Sequence, residues 1–382
     1  MSNIPQDECI RNRFTGHVPI ELYRPIVEYV VDRQPLLSLC LTSKDFKFEA
    51  ERLLYNSMTT PLTENGVTVH AKFLRTVSNV KRLAALVRTY YFSWGNKCYS
   101  VPPSPLPSLL RSALQAMVNL RELWLAVVDM HSTAAPGTES IVQMPFIFDN
   151  CTFQLDTLLM MHCIDTTAFC SFLAGQKKLR KLTAYLDPYA RNRKHILSPE
   201  ACPSLEVLQG NRNAIDVLLP NCHIKSLMWD PDMFEMNQSL PHLSEALSDL
   251  KILSLGGNYL RPSLHTLAEH LKSVEWLELV TIHSGELDVI GSIASLRGLI
   301  LTDAFSYTTW IHRTSLVLQV FSSCSNLEFV AIQSIVSRSS HQPNLYERWT
   351  CPPGSSKPSI EGVEDKEAIY QRFDNDDLLL PH

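Results

Sequence analysis

The chain has 382 residues, 45% of them hydrophobic and 19% charged, with 34 Lys and Arg against 39 Asp and Glu for a formal net charge of −5. That balance describes an ordinary globular protein and supplies no basic face for nucleic acid or an anionic membrane. The length exceeds what one compact core holds, so the chain carries either two or three domains or a solenoid that grows by adding units. No apolar run approaches the roughly 20 residues of a membrane span, and Met1–Ile10 is too polar for a secretory signal. The expected location is therefore cytoplasmic or nuclear. Ten cysteines without a Cys-x-x-Cys pair are expected to stay reduced, as small buried hydrophobes.

In chain order, residues 1–16 are polar and expected to be disordered. His17–Val31 reads as a helix with Leu22, Ile26 and Val30 in one stripe. Pro25 removes the bond to residue 21, so the regular helix is expected to start near Leu22 or to kink. Gln34–Leu41 is a second short apolar helix with Pro35 in its first turn. Thr42–Asp45 has the spacing of a capping box and should start a third helix, with Phe46, Ala50, Leu53 and Leu54 on one face. Three short helices sit at the size limit for independent stability, yet these display more apolar surface than they can hide. The excess must meet the next domain or another protein.

Val18, Pro19, Glu21 and Leu22, then Ile26, Val30, Leu36, Leu39, Leu41–Lys44 and Phe48 through Leu53–Tyr55, resemble an F-box of the divergent kind abundant in fungi. The resemblance covers residues 17–58. It implies docking on a Skp-type adaptor, and through it on a cullin and a RING ubiquitin ligase. Pro19, Leu22, Ile26, Val30, Leu36 and Leu39 would form the adaptor-facing surface. The sequence departs from the family at Val18, where leucine is usual, at Pro25, and in having no tryptophan near Phe46 or Phe48. These departures bear on adaptor affinity more than on fold. Read without the resemblance, the same helices are a cap closing the end of a repeat array.

Residues 66–86 form an expected helix linking the two parts. Val101–Pro107 is a stiff extended break, after which helix resumes through Leu109–Met117. From Leu120 onward a pattern repeats. Leu250–Leu260 reads Leu-x-x-Leu-x-Leu-x-x-Asn-x-Leu, and its first half recurs from residues 120, 155, 179, 205, 224, 274, 296 and 327, with a weaker copy at Val87–Phe92. This is the leucine-rich-repeat pattern, with one strand and one helix per unit. Residues 131–145 are an insertion loop, and 187–199 a polar one. Helices are expected at Thr166–Gln176, Ser239–Leu247, Pro262–Leu271, Glu286–Ile293 and Ile311–Phe321. Asn213 and Asn258 occupy the turn position, with Cys163 as a substitute and Asp187 and Asp232 as candidates. The expected fold is α/β: a three-helix F-box-like domain (17–58), then an irregular solenoid of inner parallel strands and outer helices (59–337). Residues 338–382, rich in Ser, Pro and charge, are expected to be a mostly disordered acidic tail, with docking back onto the solenoid as the alternative.

The sequence holds no phosphate-binding glycine loop, nucleophile elbow or His-Glu-x-x-His helix, so catalysis is not expected. Cys163, beside His162 and seven residues before Cys170, is the nearest approach to a metal cluster. No second pair completes a tetrahedral set, and neither metal nor cofactor is expected. Glu275 with Glu278 reads as a solvated face. Binding has more behind it. Side chains alternate along a strand, so residues between the leucines point out of the concave sheet. That file includes Trp124, Met161, Tyr185, Met228, Trp276 and Phe329, residue types that anchor interfaces. The alternatives are that the tail or the 131–145 insertion covers this face, or that a one-residue slip in register turns some of these side chains into the core. The expected function is a substrate receptor of an SCF-type ubiquitin ligase. Its rival is a scaffold or inhibitor that uses the repeats alone.

Overall fold

The computed structural model describes residues 19–59, 64–94, 106–127, 145–163, 166–186, 197–230, 240–256, 262–280, 282, 285–302, 313–333, 345–352 and 357–371. Residues 1–16, most of the proline-rich break, the 131–144 insertion, 187–196, Asp232, Asn258 and the acidic tip beyond 371 lie outside them. No helix among the described residues is long and apolar enough to cross a membrane. The chain divides after Met58 into two compact units.

The first unit is three helices, α1 (Ile20–Glu28), α2 (Arg33–Leu39) and α3 (Lys44–Asn56). Helix α1 begins at Ile20, straight after Pro19, and runs through Pro25. The Ser43 hydroxyl accepts the Phe46 N–H at 3.2 Å and caps α3. Each helix gives one side chain to the centre, Val27, Leu36 and Ala50, with Val30, Leu39, Phe46, Leu53 and Leu54 packed around them. Arg52 ties α3 to α1 by bonding Glu28 at 2.7 Å, and holds Glu49 at 2.8 Å.

A short strand, β1 (Ser57–Thr59), ends the first unit and starts the second. Helices α4 (Glu64–Asn79) and α5 (Lys81–Ala84) follow, broken at Val80. Then strands alternate with helices and loops: β2 (Thr89–Trp94), α6 (Leu106–Ala116), β3 (Glu122–Val127), β4 (Thr157–Cys163), α7 (Thr166–Ala174), β5 (Lys181–Leu186), β6 (Val207–Gly210), α8 (Arg212–Leu218), β7 (Ser226–Trp229), α9 (Ser244–Ser248), β8 (Ile252–Leu255), α10 (Leu264–Leu267), β9 (Trp276–Val280), α11 (Glu286–Ile290), β10 (Gly298–Thr302), α12 (Arg313–Ser323) and β11 (Phe329–Gln333). The strands lie side by side in chain order. From β2 to β11 every neighbouring pair is parallel.

The register explains the order. Tyr90, Leu123, Leu158, Leu182, Leu208, Leu227, Leu253, Leu277, Leu299 and Val330 stand opposite one another in turn across the sheet. All of them are buried. The fourth position of each repeat is thus one continuous apolar row, each side chain worth roughly 1.5–3 kcal/mol of burial. Two residues earlier in each repeat, the backbone locks the stack. The N–H groups of Asp156 and Thr157 both reach Arg121 O, those of Glu206 and Val207 reach Arg180 O, and those of Glu275 and Trp276 reach Lys251 O, at 2.7–3.1 Å. The turn asparagine of the sixth strand is Asn211. It bonds both Leu186 backbone groups and caps α8, whereas Asn213, expected there, makes only a 3.5 Å bond.

The chain past the last parallel strand departs from the expectation of a disordered tail. β12 (Leu345–Thr350) pairs antiparallel with β11, β13 (Ser359–Asp365) pairs antiparallel with β12, and α13 (Lys366–Gln371) follows. Composition misleads here because Tyr346, Trp349, Ile369 and Tyr370 are few among charged and small residues. Each of the four is buried all the same.

Candidate protein-interaction face

Outward side chains of the sheet fall into two groups. Over β2–β7 most are half-buried and open, with Val207 and Ser226 buried among them. Tyr91 and Trp124 lie with ring centroids 5.5 Å apart, and Leu159, Met161, Tyr185 and Met228 continue the file. A hollow of about 470 Å³ sits among Glu122, Trp124, Thr157, Leu159, Lys181 and Thr183. Burial, and then the Arg180 charge, pull the Lys181 ammonium below its usual pKa. Beyond it the Tyr185 hydroxyl donates to the Asp230 carboxylate, and Gln209 Nε2 donates to the same oxygen at 2.9 Å. The open face thus runs from an aromatic shelf through one lysine to a polar hub.

Over β9–β11 the same face is closed. Trp276 is 6% and Phe329 0% exposed, packed with Ile300 and Ala331 beneath Tyr346, Ile369 and Tyr370. The expectation that Trp276 and Phe329 are free for a target is therefore corrected: the chain's own C-terminal segment covers them. Gly298 lies between these two rings. A Cβ there would come within 2.5 Å of Phe329 and 2.9 Å of Trp276, so only glycine lets their centroids approach to 5.0 Å.

Glu278, expected to be solvated, is 2% exposed at the centre of the closed part. Its Oε2 accepts from Ser254 Oγ at 2.7 Å and from the Tyr370 hydroxyl at 3.0 Å. Its Oε1 accepts from Thr302 Oγ1 at 3.2 Å and from Lys366 Nζ at 2.7 Å. The Tyr346 hydroxyl lies 3.0 Å from Thr302 Oγ1, its pKa pushed up to about 12 by burial and by the Glu278 charge. Full burial, with Glu278 adding to it, holds the Tyr370 phenol well above its ordinary range. The carboxylate is met from the flanking strands on one side and from α13 on the other.

In the first unit the six expected adaptor-facing residues divide. Leu36 is buried in the three-helix centre, and Val30 and Leu39 are half-buried against it. Pro19 is exposed, Leu22 is 48% exposed and Ile26 41%. Tyr29, Val31, Leu41 and Phe48 are exposed as well, a broader apolar surface than the sequence stripe named. On α1 it is Val27 that turns inward.

Among the described residues no group of three or more His, Cys, Asp or Glu is placed to hold a metal ion. Burial pushes the thiols of Cys151 and Cys202 up to about 12 and those of Cys170 and Cys222 to about 11, leaving them protonated. The second position of every repeat from Leu120 on carries a charge. The row runs Arg121, Asp156, Arg180, Glu206, Lys225, Lys251, Glu275, Arg297, Glu328, and most neighbours of opposite sign pair: Arg180–Glu206 and Arg297–Glu328 at 2.8 Å, Lys251–Glu275 at 2.7 Å. The sign alternates along the row except between Lys225 and Lys251.

No protein-family model and no curated protein matches the chain. Among solved structures it is similar to an internalin from Listeria monocytogenes strain 4b F2365, at 14% identity over 83% of this chain and 85% of that one, with a TM-score of 0.35. A score at that level adds nothing to what the strand order already states: a long parallel sheet of leucine-rich-repeat type.

Proposed function

We propose that the chain is the substrate-binding subunit of an SCF-type cullin–RING ubiquitin ligase. The observation that carries this reading is the first unit. It is a three-helix body that resembles an F-box in sequence and leaves Pro19, Leu22 and Ile26 exposed, together with Tyr29 and Leu41. So much exposed apolar surface on so small a body marks a contact site. In this reading that surface holds a Skp-type adaptor, in cytoplasm or nucleus. The open outward face, through Trp124, Met161, Tyr185 and Met228, holds a target protein. The chain makes and breaks no bond. It contributes proximity, bringing a target into one complex with the conjugating machinery.

The test is co-purification of the full chain with a Skp-type adaptor. A stoichiometric complex is expected, lost on Leu22→Asp or Ile26→Asp. A chain that forms no such complex, or whose complex survives both charges, is a repeat scaffold that uses its sheet alone.

A further inference from the structure

The closed part of the outward face is filled by a segment with a readable pattern. Along α13, Lys366 reaches the Glu278 carboxylate, Ile369 enters the apolar floor with Trp276, Ile300 and Phe329, and Tyr370 donates to the other carboxylate oxygen. Residues at i, i+3 and i+4 share one face of a helix, so three side chains engage at once.

Two features separate this contact from ordinary core packing. Its centre is a charge pair, Glu278 with Lys366. An apolar residue in place of the buried Glu278 would avoid the cost of desolvating a carboxylate, which the attraction of Lys366 has to offset. What the carboxylate adds is discrimination in favour of a cation. The second feature is that the receiving side is built without α13. Ser254 and Thr302, from the strands on either side of β9, orient Glu278. Gly298 fixes the approach of the Trp276 and Phe329 rings. The strands supply a finished cleft, and α13 supplies its occupant.

We infer that this cleft is a binding site for a protein segment carrying a basic residue followed three and four positions on by an aliphatic residue and a tyrosine, and that Lys366–Tyr370 occupies it as an internal competitor. This rests on the proposed reading of the outward face as the target-holding surface and extends it from the open strands to the closed ones. A target of that pattern displaces α13; without one, the apolar floor stays covered.

Hydrogen exchange on the unaltered full chain is the first arm. Amides of α13 are expected to exchange at least about a hundredfold faster than those of β10, the mark of local opening. Equal rates would make α13 a permanent part of the core and overturn the inference. The second arm adds a fluorescent peptide copying residues 364–372. The full-length Lys366→Ala/Tyr370→Ala chain is expected to bind it at least about tenfold more tightly than the unaltered chain, because the competitor is weakened. Adding Glu278→Gln should remove that gain. Equal binding by all three chains, or by none, also overturns the inference. Should the double variant fail to fold, the exchange arm decides alone. Neither arm involves the adaptor, so loss of the adaptor complex would strike the ligase reading and leave these results standing.

Discussion

Strands β3–β7 and β9–β11 are built from one repeat, and their inward leucines stand in a single row. Their outward side chains meet opposite conditions. Trp124 and Glu278 occupy the same position of their repeats, yet one is a half-buried shelf and the other lies buried under Tyr370 and Lys366. The difference teaches that a repeat specifies which side of a strand a residue points to, while exposure on that side is decided by chain far away. Here that chain is β12, β13 and α13.

The largest contrast should come from truncating one aromatic in each part. Phe329→Ala removes a ring from a site with no exposed surface and is expected to cost about 3–5 kcal/mol in chemical denaturation. Trp124→Ala, on the open part, is expected to cost less than about 1 kcal/mol while weakening target capture. Equal costs would erase the distinction between the two parts.

Acid should separate the two ends of the sheet. His70 on α4 is 1% exposed, hydrogen-bonded to the Tyr90 hydroxyl and stacked on Phe92 at 4.5 Å. Burial holds its pKa at about 4, below the ordinary histidine value of about 6.5. The folded chain thus binds this proton less readily than the unfolded one. Its contribution is complete above pH 6.5 and is lost as the pH falls from there towards 4, in all on the order of 3 kcal/mol. Hydrogen exchange at pH 5 is expected to show β2 losing protection before β10. His70→Gln should flatten the dependence of stability on pH across that window.

Much of this molecule was legible in advance, and the exceptions have physical causes. The leucine row was legible because an inward position tolerates little else, so the period survives irregular spacing. The three helices of the first unit were legible too, from the apolar spacing and from a capping-box pattern at Thr42–Asp45 that lies one residue ahead of the actual cap, Ser43. Their centre was not, because which residue of α1 turns inward, here Val27, depends on how α1 meets α2 and α3. Closure of the outward face was illegible for a different reason. Trp276 and Phe329 looked like interface residues because they are: the interface is with Ile369 and Tyr370, scattered in a stretch whose average composition is that of a disordered tail. Glu278 was misread by the same averaging, since nothing beside it in sequence reveals Lys366.

Glu278→Gln sharpens the comparison at the level of one atom. Replacing the charge by an amide keeps the shape, and removes the partner of a lysine that is itself 37% exposed and free to turn to water. The expected loss is about 1–3 kcal/mol, read as a lower denaturation midpoint. Asp230→Asn, on the open part, breaks the acceptor of Tyr185 and Gln209 where water can replace it. Less than about 1 kcal/mol is expected there.

The smallest effect belongs to a feature shared by both parts, the charged row at the second repeat position. Glu206 bridges Arg180 at 2.8 Å and Lys225 at 3.0 Å on the open side, and Glu275 bridges Lys251 at 2.7 Å and Arg297 at 3.5 Å on the closed side. All six side chains keep a quarter or more of their surface in water, so salt screens them and each pair is worth about 0–1 kcal/mol. Glu206→Gln and Glu275→Gln are expected to cost the same small amount, and to cost less still in about 1 M salt. The row lies beside the backbone ladder and away from α13, so the closing segment should make no difference to it. A Glu275 loss several times that of Glu206 would show that the C-terminal segment stiffens the whole end of the sheet rather than covering one face of it.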